Sequence, residues 1–251
     1  MNRVTVVGAG VVGLSCAVRI AEVGLEVDVL ARDLPRETTS AAAGGLWWPS
    51  PAEPVEPVLR WAVAGHAALV DLAQRDGDRA GVRILPGTLV REANDPAPTW
   101  LTAMPDLTPV APRPVAPPGL APGLVGAGHS WGFAVPLVDP GPYLDHLRAR
   151  LLAAGGTLTR MSLPALPSRG FVIDCTGLSA HALAADPAVR PARGQVVLLE
   201  DPGLTQWLVD ERVQDGLSCS VLPYGRRVVV GGCHQLDDWS TAVRPGPAFG
   251  P

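Results

Sequence analysis

Apolar and polar positions alternate with a clear change of period along the first thirty residues. A β-branched run at 4–7 reads as a buried parallel strand. Over 11–23 the period lengthens to that of a helix, with Leu14, Ala17, Val18 and Ala21 on one face and Gly24 closing it. A second strand follows at 26–30, so the opening is a strand–helix–strand unit with a right-handed crossover. Farther on, Val58, Trp61, Ala62, Leu69 and Leu72 fall at helical spacing over 56–74, and a strand is expected at 83–89. A helix over 142–154 is stopped by Gly155-Gly156, and strands are expected at 171–174, 195–199, 217–222 and 227–230. The whole reads as a mixed α/β chain without internal repeats.

Between 95 and 123 the chain turns Pro- and Ala-rich, which predicts a loop or semi-rigid connector with no packed core of its own. The 251 residues suffice for one large or two modest domains. All 20 basic residues are Arg, and the net charge of −4 leaves no footprint for nucleic acid or for a polybasic membrane patch. Cys16, Cys175, Cys219 and Cys233 are far apart and lack His neighbours at metal spacing, so free thiols in a reducing compartment are expected and no metal site. No apolar run reaches the length of a membrane span, and the cytoplasm is the default location.

Gly8-Ala9-Gly10-Val11-Val12-Gly13 fits G-x-G-x-x-G, after a strand and opening a helix. Its glycines allow a tight turn, close approach of a pyrophosphate and close helix–strand packing, and the helix N-terminus offers N–H groups to phosphate. At the end of the second strand, where a ribose-binding carboxylate is usual, stand Arg32 and Asp33. Arg32 could meet a 2′-phosphate, or Asp33 a ribose; local chemistry leaves both open. Thr38, Thr39 and Ser40 then bring three hydroxyls, followed by small residues up to Gly45. Trp47 and Trp48 read first as core packing, with ligand stacking as the rival.

These segments resemble the D-amino-acid oxidase family of flavoproteins. The matching stretches are GAGVVGLS, VLARDLP, TTSAAAGGLWWP, SWGFAVPLVDPGPYL, VIDCTGLSAHAL, RPARGQ and VVVGGCHQLDDWS, in that order from Val4 to about Ser240. The resemblance implies a Rossmann-like FAD-binding domain (1–49 and 140–190), a second, largely β substrate domain (50–139 and 191–240) and an irregular tail at 241–251. It also implies FAD contacts at Gly8, Ala9, Gly10, Val11, Val12 and Gly13 for the pyrophosphate, and at Arg32 and Asp33 for the adenosine. Thr38, Thr39 and Ser40 would serve phosphate or ribitol, Gly44, Gly45 and Leu46 the flavin ring, and Thr176 and Gly177 the adenosine side. The implied enzyme is an oxidoreductase that turns a D-amino acid and dioxygen into a 2-oxo acid, ammonia and hydrogen peroxide. A homodimer is a candidate assembly.

Two departures stand out. The family pairs a Tyr with an Arg to hold the substrate carboxylate; Ser220 takes the Tyr position, and Tyr224 is a shifted substitute. The family Arg lies in a stretch with no counterpart here, so a C-terminally truncated oxidase of impaired activity is expected, with an open sheet edge and an uncovered apolar face. His66, His129, His146, His181 and His234 lie in no recognisable catalytic motif, and Asp139 reads as a helix start. The rival readings are a glycine or secondary-amine flavin oxidase, an NADP-dependent reductase using Arg32, and an inactive FAD-binding remnant.

Overall fold

The structure, a computed structural model, describes residues 3–49, 52–92, 95–96, 98–102, 104, 110–113, 128–214, 217–233 and 235–244. In chain order it runs β1 (Arg3–Val7), α1 (Val11–Glu22), β2 (Glu26–Ala31), α2 (Thr39–Ala42), α3 (Val55–Arg75), α4 (Gly77–Ala80) and β3 (Val82–Glu92). Next come α5 (Thr99–Thr102), β4 (Val110–Arg113), β5 (Gly128–Val138), α6 (Pro140–Ala153), β6 (Thr157–Arg160) and β7 (Phe171–Asp174). The described chain then continues through α7 (Ala180–Leu183), β8 (Ala192–Arg193), β9 (Val196–Glu200), β10 (Trp207–Gln214), β11 (Leu217–Pro223), β12 (Arg227–Cys233) and β13 (Gln235–Leu236). Contacts divide it into two compact units: Met1–Gly45 with Asp76–Gly81 and Asp139–Pro191, and Leu46–Arg75 with Val82–Val138 and Ala192–Pro251.

The first unit holds a four-stranded sheet in the order β6-β2-β1-β7, parallel in every pair. Val4, Val6, Val27 and Val29 point to one face, where they pack with Leu14, Ala17 and Val18 of α1 and with Leu144, Leu147 and Leu151 of α6. Each fully buried aliphatic chain there contributes about 1.5–3 kcal/mol of transfer free energy. The opposite face is charged toward the start of β1 and β2, while on the edge strand β7 Phe171 is 67% exposed. Strand β2 reads Glu-Val-Asp-Val-Leu-Ala, so its alternation turns Glu26 and Asp28 to that side. There Arg3 pairs with Glu26 at 3.1 Å and Asp28 at 3.2 Å, and the Thr157 hydroxyl donates to Asp28 at 2.7 Å.

The second unit is built on a seven-stranded sheet, β4-β5-β3-β10-β11-β12-β9. The long antiparallel pair β3–β5 supplies Leu89, Trp131, Phe133, Val135 and Leu137 to its core. Strand β10 joins β3 in parallel and adds Trp207, which is 1% exposed and donates its indole N–H to the Leu85 carbonyl at 2.8 Å. Gly87 makes room for that ring, since a Cβ there would lie 2.0 Å from it. Trp47 is core, as its first reading had it, and Trp48 packs against that core in edge contact with Trp100 and Trp207.

The expected connector at 95–123 also needs correction. Its larger part lies outside the described residues, but α5 and β4 fall within it. Trp100, Leu101 and Met104 are buried members of the core, so the segment is anchored despite its prolines. Its apolar residues are too few to show a period, yet the core needs them. Helix α3 lays Leu59, Ala62, Leu69 and Leu72 on this unit, while Glu56–Arg60 and Asp71–Arg75 pair along its outer side at i,i+4.

Candidate cofactor and substrate sites

The glycine turn after β1 is shaped by backbone crowding. Gly8 has φ +112°, and a Cβ there would meet the Cys175 carbonyl oxygen at 2.2 Å. A Cβ on Gly13 would lie 1.9 Å from the Gly8 carbonyl oxygen. Turn, helix and the loop after β7 thus pack at distances open to glycine alone. Ala9 is buried beneath the turn, while Val11 and Val12 project outward at the start of α1.

No side chain of the turn itself caps α1. Instead the Ser40 hydroxyl, brought from α2, accepts the Val11 backbone N–H at 3.1 Å. A hydroxyl and free N–H groups therefore share one helix N-terminus, an arrangement suited to phosphate. Thr38 is engaged otherwise, donating to the Pro35 carbonyl at 2.7 Å, and Thr39 opens α2. Gly44 and Gly45 end the first unit's opening segment, and Leu46 bridges to Leu137 within the second unit.

At the end of β2, Arg32 and Asp33 close on each other, with Nη2 2.6 Å and Nε 3.0 Å from the same carboxylate oxygen. That hydrogen bond holds the Asp33 carboxyl below the usual carboxylate range; slight burial opposes it and the Arg160 charge adds to it. A guanidinium already spent on Asp33 is a poor 2′-phosphate receptor, which weighs against the NADP reading. Sequence reasoning missed the brace beneath. Glu37 takes the Leu34 N–H at 3.0 Å and Arg160 at 2.6 Å, and Arg36 grips Asp145 of α6. Those partners are distant in sequence and carry no linear signal.

Across the sheet, the Thr176 hydroxyl is buried with no hydrogen-bond partner among the described residues, next to Gly177 at φ +57°. An orphaned hydroxyl beside a glycine-walled turn is the polar group a bound dinucleotide would satisfy. Together the crowded turn, the Ser40 cap and the orphan hydroxyl fit a dinucleotide. Cys175 and Cys219 are not poised as nucleophiles. Burial, the neighbouring Cys16 and Asp174 push Cys175 up to about 12, and burial with Asp210 raises Cys219.

The two candidate substrate anchors do not converge. Ser220 lies on β11 opposite Val209 and donates its hydroxyl proton to the Gly231 carbonyl at 2.9 Å, which leaves its oxygen as an acceptor. Tyr224 stands four residues on, about 13 Å along an extended chain. It is buried in the core at the turn into β12, under the Arg227 guanidinium. His234 lies outside the described residues.

A parallel sheet, a glycine-rich turn and a helix N-terminus capped from the short helix α2 define a dinucleotide-binding protein of Rossmann type. The family model for FAD-dependent oxidoreductases (DAO) matches residues 3–248. D-amino-acid oxidase of Streptomyces coelicolor is 40% identical over 247 residues, covering 97% of this chain and 73% of that protein. D-amino-acid oxidase of Rubrobacter xylanophilus is 36% identical over 251 residues, covering 98% and 74%. Among solved structures, glycine oxidase from Geobacillus kaustophilus superposes with a TM-score of 0.73 at 18% identity, covering 97% of this chain and 75% of that one, a likeness of fold. The chain belongs to the FAD-dependent oxidoreductase (DAO) family. It is an oxidoreductase of the D-amino-acid oxidase type, and its cofactor is FAD. Among the described residues no helix is long and apolar enough to cross a membrane.

Proposed function

We propose that the chain oxidises D-amino acids, with dioxygen and water as co-substrates and a 2-oxo acid, ammonia and hydrogen peroxide as products. The first unit would be the FAD-binding domain and the second the substrate domain. The observation that carries the reading is the glycine cradle with its Ser40 cap and orphaned Thr176 hydroxyl, in a chain so similar to two D-amino-acid oxidases. Gly8, Ala9, Gly10, Val11, Val12 and Gly13 would hold the pyrophosphate, with Ser40 orienting the helix N-terminus toward it. Arg32 and Asp33 would border the adenosine, and Thr176 and Gly177 would close its other side. Thr38 and Thr39 would flank the phosphates, and Gly44, Gly45 and Leu46 would approach the ring. Bound FAD supplies a two-electron acceptor for the Cα hydrogen of the substrate. The protein's own task is to fix the substrate's orientation, and Ser220 would present its oxygen to the substrate's ammonium rather than a proton to its carboxylate.

The test is an absorbance spectrum of protein freed of excess FAD, followed by anaerobic D-alanine and then air. Retained flavin bands that bleach and return with hydrogen peroxide support the reading. Bands that bleach with glycine or sarcosine but not with D-alanine would replace it, and bands that respond to none of these amines would leave a binding protein.

A further inference from the structure

The face of the second sheet that carries Ser220 has a half-buried charge pair at its end. On β10, Val209 and Glu211 alternate with Leu208 and Asp210, and Val209 lies between Leu89 of β3 and Ser220 of β11. Glu211 shares that face, since one of its oxygens accepts the Trp48 indole N–H at 3.2 Å. Its other oxygen lies 3.0 Å from Nε of Arg91, the residue two beyond Leu89. The side chains of Arg91 and Glu211 are 23% and 25% exposed. The Arg91 Nε is buried and its N–H is not aligned with the carboxylate, so this contact is ionic rather than a well-formed hydrogen bond. Asp95 adds a second carboxylate 3.8 Å from the same nitrogen. Two carboxylates thus surround one guanidinium, and the local balance is negative. Glu211 follows Val209, the partner of Ser220, by two residues, at the point where the β10–β11 register shifts.

Resting on the oxidase reading above, we propose that Glu211 is a specificity-determining residue: by occupying Arg91 it bars dicarboxylic D-amino acids and favours neutral and cationic side chains. An acidic side chain arriving here meets Glu211 and Asp95, while the guanidinium that could receive it is already taken. A cationic side chain can share the spare lone pairs of Glu211. With the Glu211 charge removed, Arg91 keeps its Nη1 bond to the Pro96 carbonyl and its neighbour Asp95, while its misaligned Nε becomes open to a substrate carboxylate. Loss of a merely structural ion pair would lower activity on all substrates alike; loss of this one should invert a preference.

The experiment compares wild type and Glu211→Gln holoenzymes for kcat/KM on D-alanine, D-arginine and D-glutamate, with anaerobic titration calorimetry of D-glutamate as a second readout. A charge-assisted hydrogen bond gained by D-glutamate predicts that its kcat/KM relative to D-alanine rises about tenfold to a hundredfold, while the ratio for D-arginine falls. D-alanine turnover with an unchanged D-glutamate ratio overturns the proposal and leaves the oxidase reading intact. If wild type turns over no D-amino acid, the oxidase reading fails, yet tighter D-glutamate binding by the variant still supports the role of Glu211, and equal binding refutes it. Should Glu211→Gln not fold, the double replacement Arg91→Leu/Glu211→Leu serves. It should favour D-methionine over wild type and still reject D-glutamate, and acceptance of D-glutamate by it would sink the idea.

Discussion

Gly13→Ala tests whether the crowding at the glycine turn is real. The added Cβ would lie 1.9 Å from the Gly8 carbonyl oxygen, 2.9 Å from its carbon and 3.3 Å from the Cys175 Cβ. The nearest atoms are backbone, so no rotamer change relieves the overlap; α1 must retreat from β1 by about 1.5 Å to regain ordinary contact. Overpacking costs about 1–3 kcal/mol in general, and a clash with main chain belongs at the top of that range. At about 2–4 °C per kcal/mol for a chain of this size, Tm should fall by roughly 6–12 °C. The retreat also withdraws the N–H groups at the start of α1, so added FAD should raise the variant's Tm less than it raises wild type's. Scanning calorimetry with and without excess FAD reads both effects. Gly65→Ala is the control, lying inside α3 with no atom within 4 Å of the added Cβ, and it should gain up to about 1 kcal/mol. A Gly13→Ala Tm within about 2 °C of wild type, with an undiminished FAD shift, would refute the account.

Ser40→Ala removes the acceptor of the Val11 N–H, and it should cost about 1 kcal/mol and weaken FAD retention measured by ultrafiltration; unchanged retention would take Ser40 out of the site. Gly87→Ala drives a Cβ to 2.0 Å from the Trp207 ring, so the indole should leave its slot and its fluorescence maximum shift to the red, with a loss of about 3 kcal/mol in urea unfolding. Hydrogen bonds from Arg hold Asp33, Asp71 and Glu22 below their ordinary values, and a backbone N–H does so for Asp238. A depressed carboxyl stabilises the fold above its unfolded pKa and ceases to do so as pH falls through its folded one, so Tm should be level from pH 7 to about 5 and decline below about 4. A Tm that rises on acidification through that lower range would contradict the assignment.

The first unit was legible because its signals are local. A helical period over α1, a glycine at its end and a β-branched run on each side need no distant partner, and the structure places α1 at Val11–Glu22 and β2 at Glu26–Ala31. The same locality explains the cradle, where residue type and position are both dictated by the turn. The short strand β6 escaped because Thr157–Arg160 is polar and mostly exposed, held by its pairing with β2 rather than by burial. In the second unit, Trp100 could not be read as core from a segment full of prolines; it is buried because Trp47, Trp48 and Phe133 surround it. The Arg91–Glu211 pair depends on the register of β3 against β10, and a parallel pairing between strands so far apart in sequence leaves no trace in either.

The charged side chains divide by burial in a way that bears on function. In the first unit the ion pairs Arg36–Asp145 and Arg160–Glu37 are at least about half exposed on every side chain, and pairs of that kind contribute little individually. In the second unit three pairs are far less exposed: Arg91–Glu211, Arg212–Asp210 and Arg193–Asp238. Retaining charge in such places costs desolvation that apolar residues would avoid, so each pair needs a reason. Arg193 has a structural one, because it donates to the carbonyls of Ser240 and Ala242 and, with Gln195, fastens the segment around 235–244. Arg212 folds back on Asp210 within its own strand, where its backbone N–H is also received. Arg91 also donates from Nη1 to the Pro96 carbonyl at 2.5 Å, and Glu211 receives the Trp48 indole N–H, so each side chain has a structural tie of its own besides the ion pair. They join two strands that the backbone ladder already joins, next to an aromatic cluster and on the face of Ser220. The contact between the two charges joins no strands that the ladder leaves apart, and selection against acidic substrates would give its desolvation cost a reason.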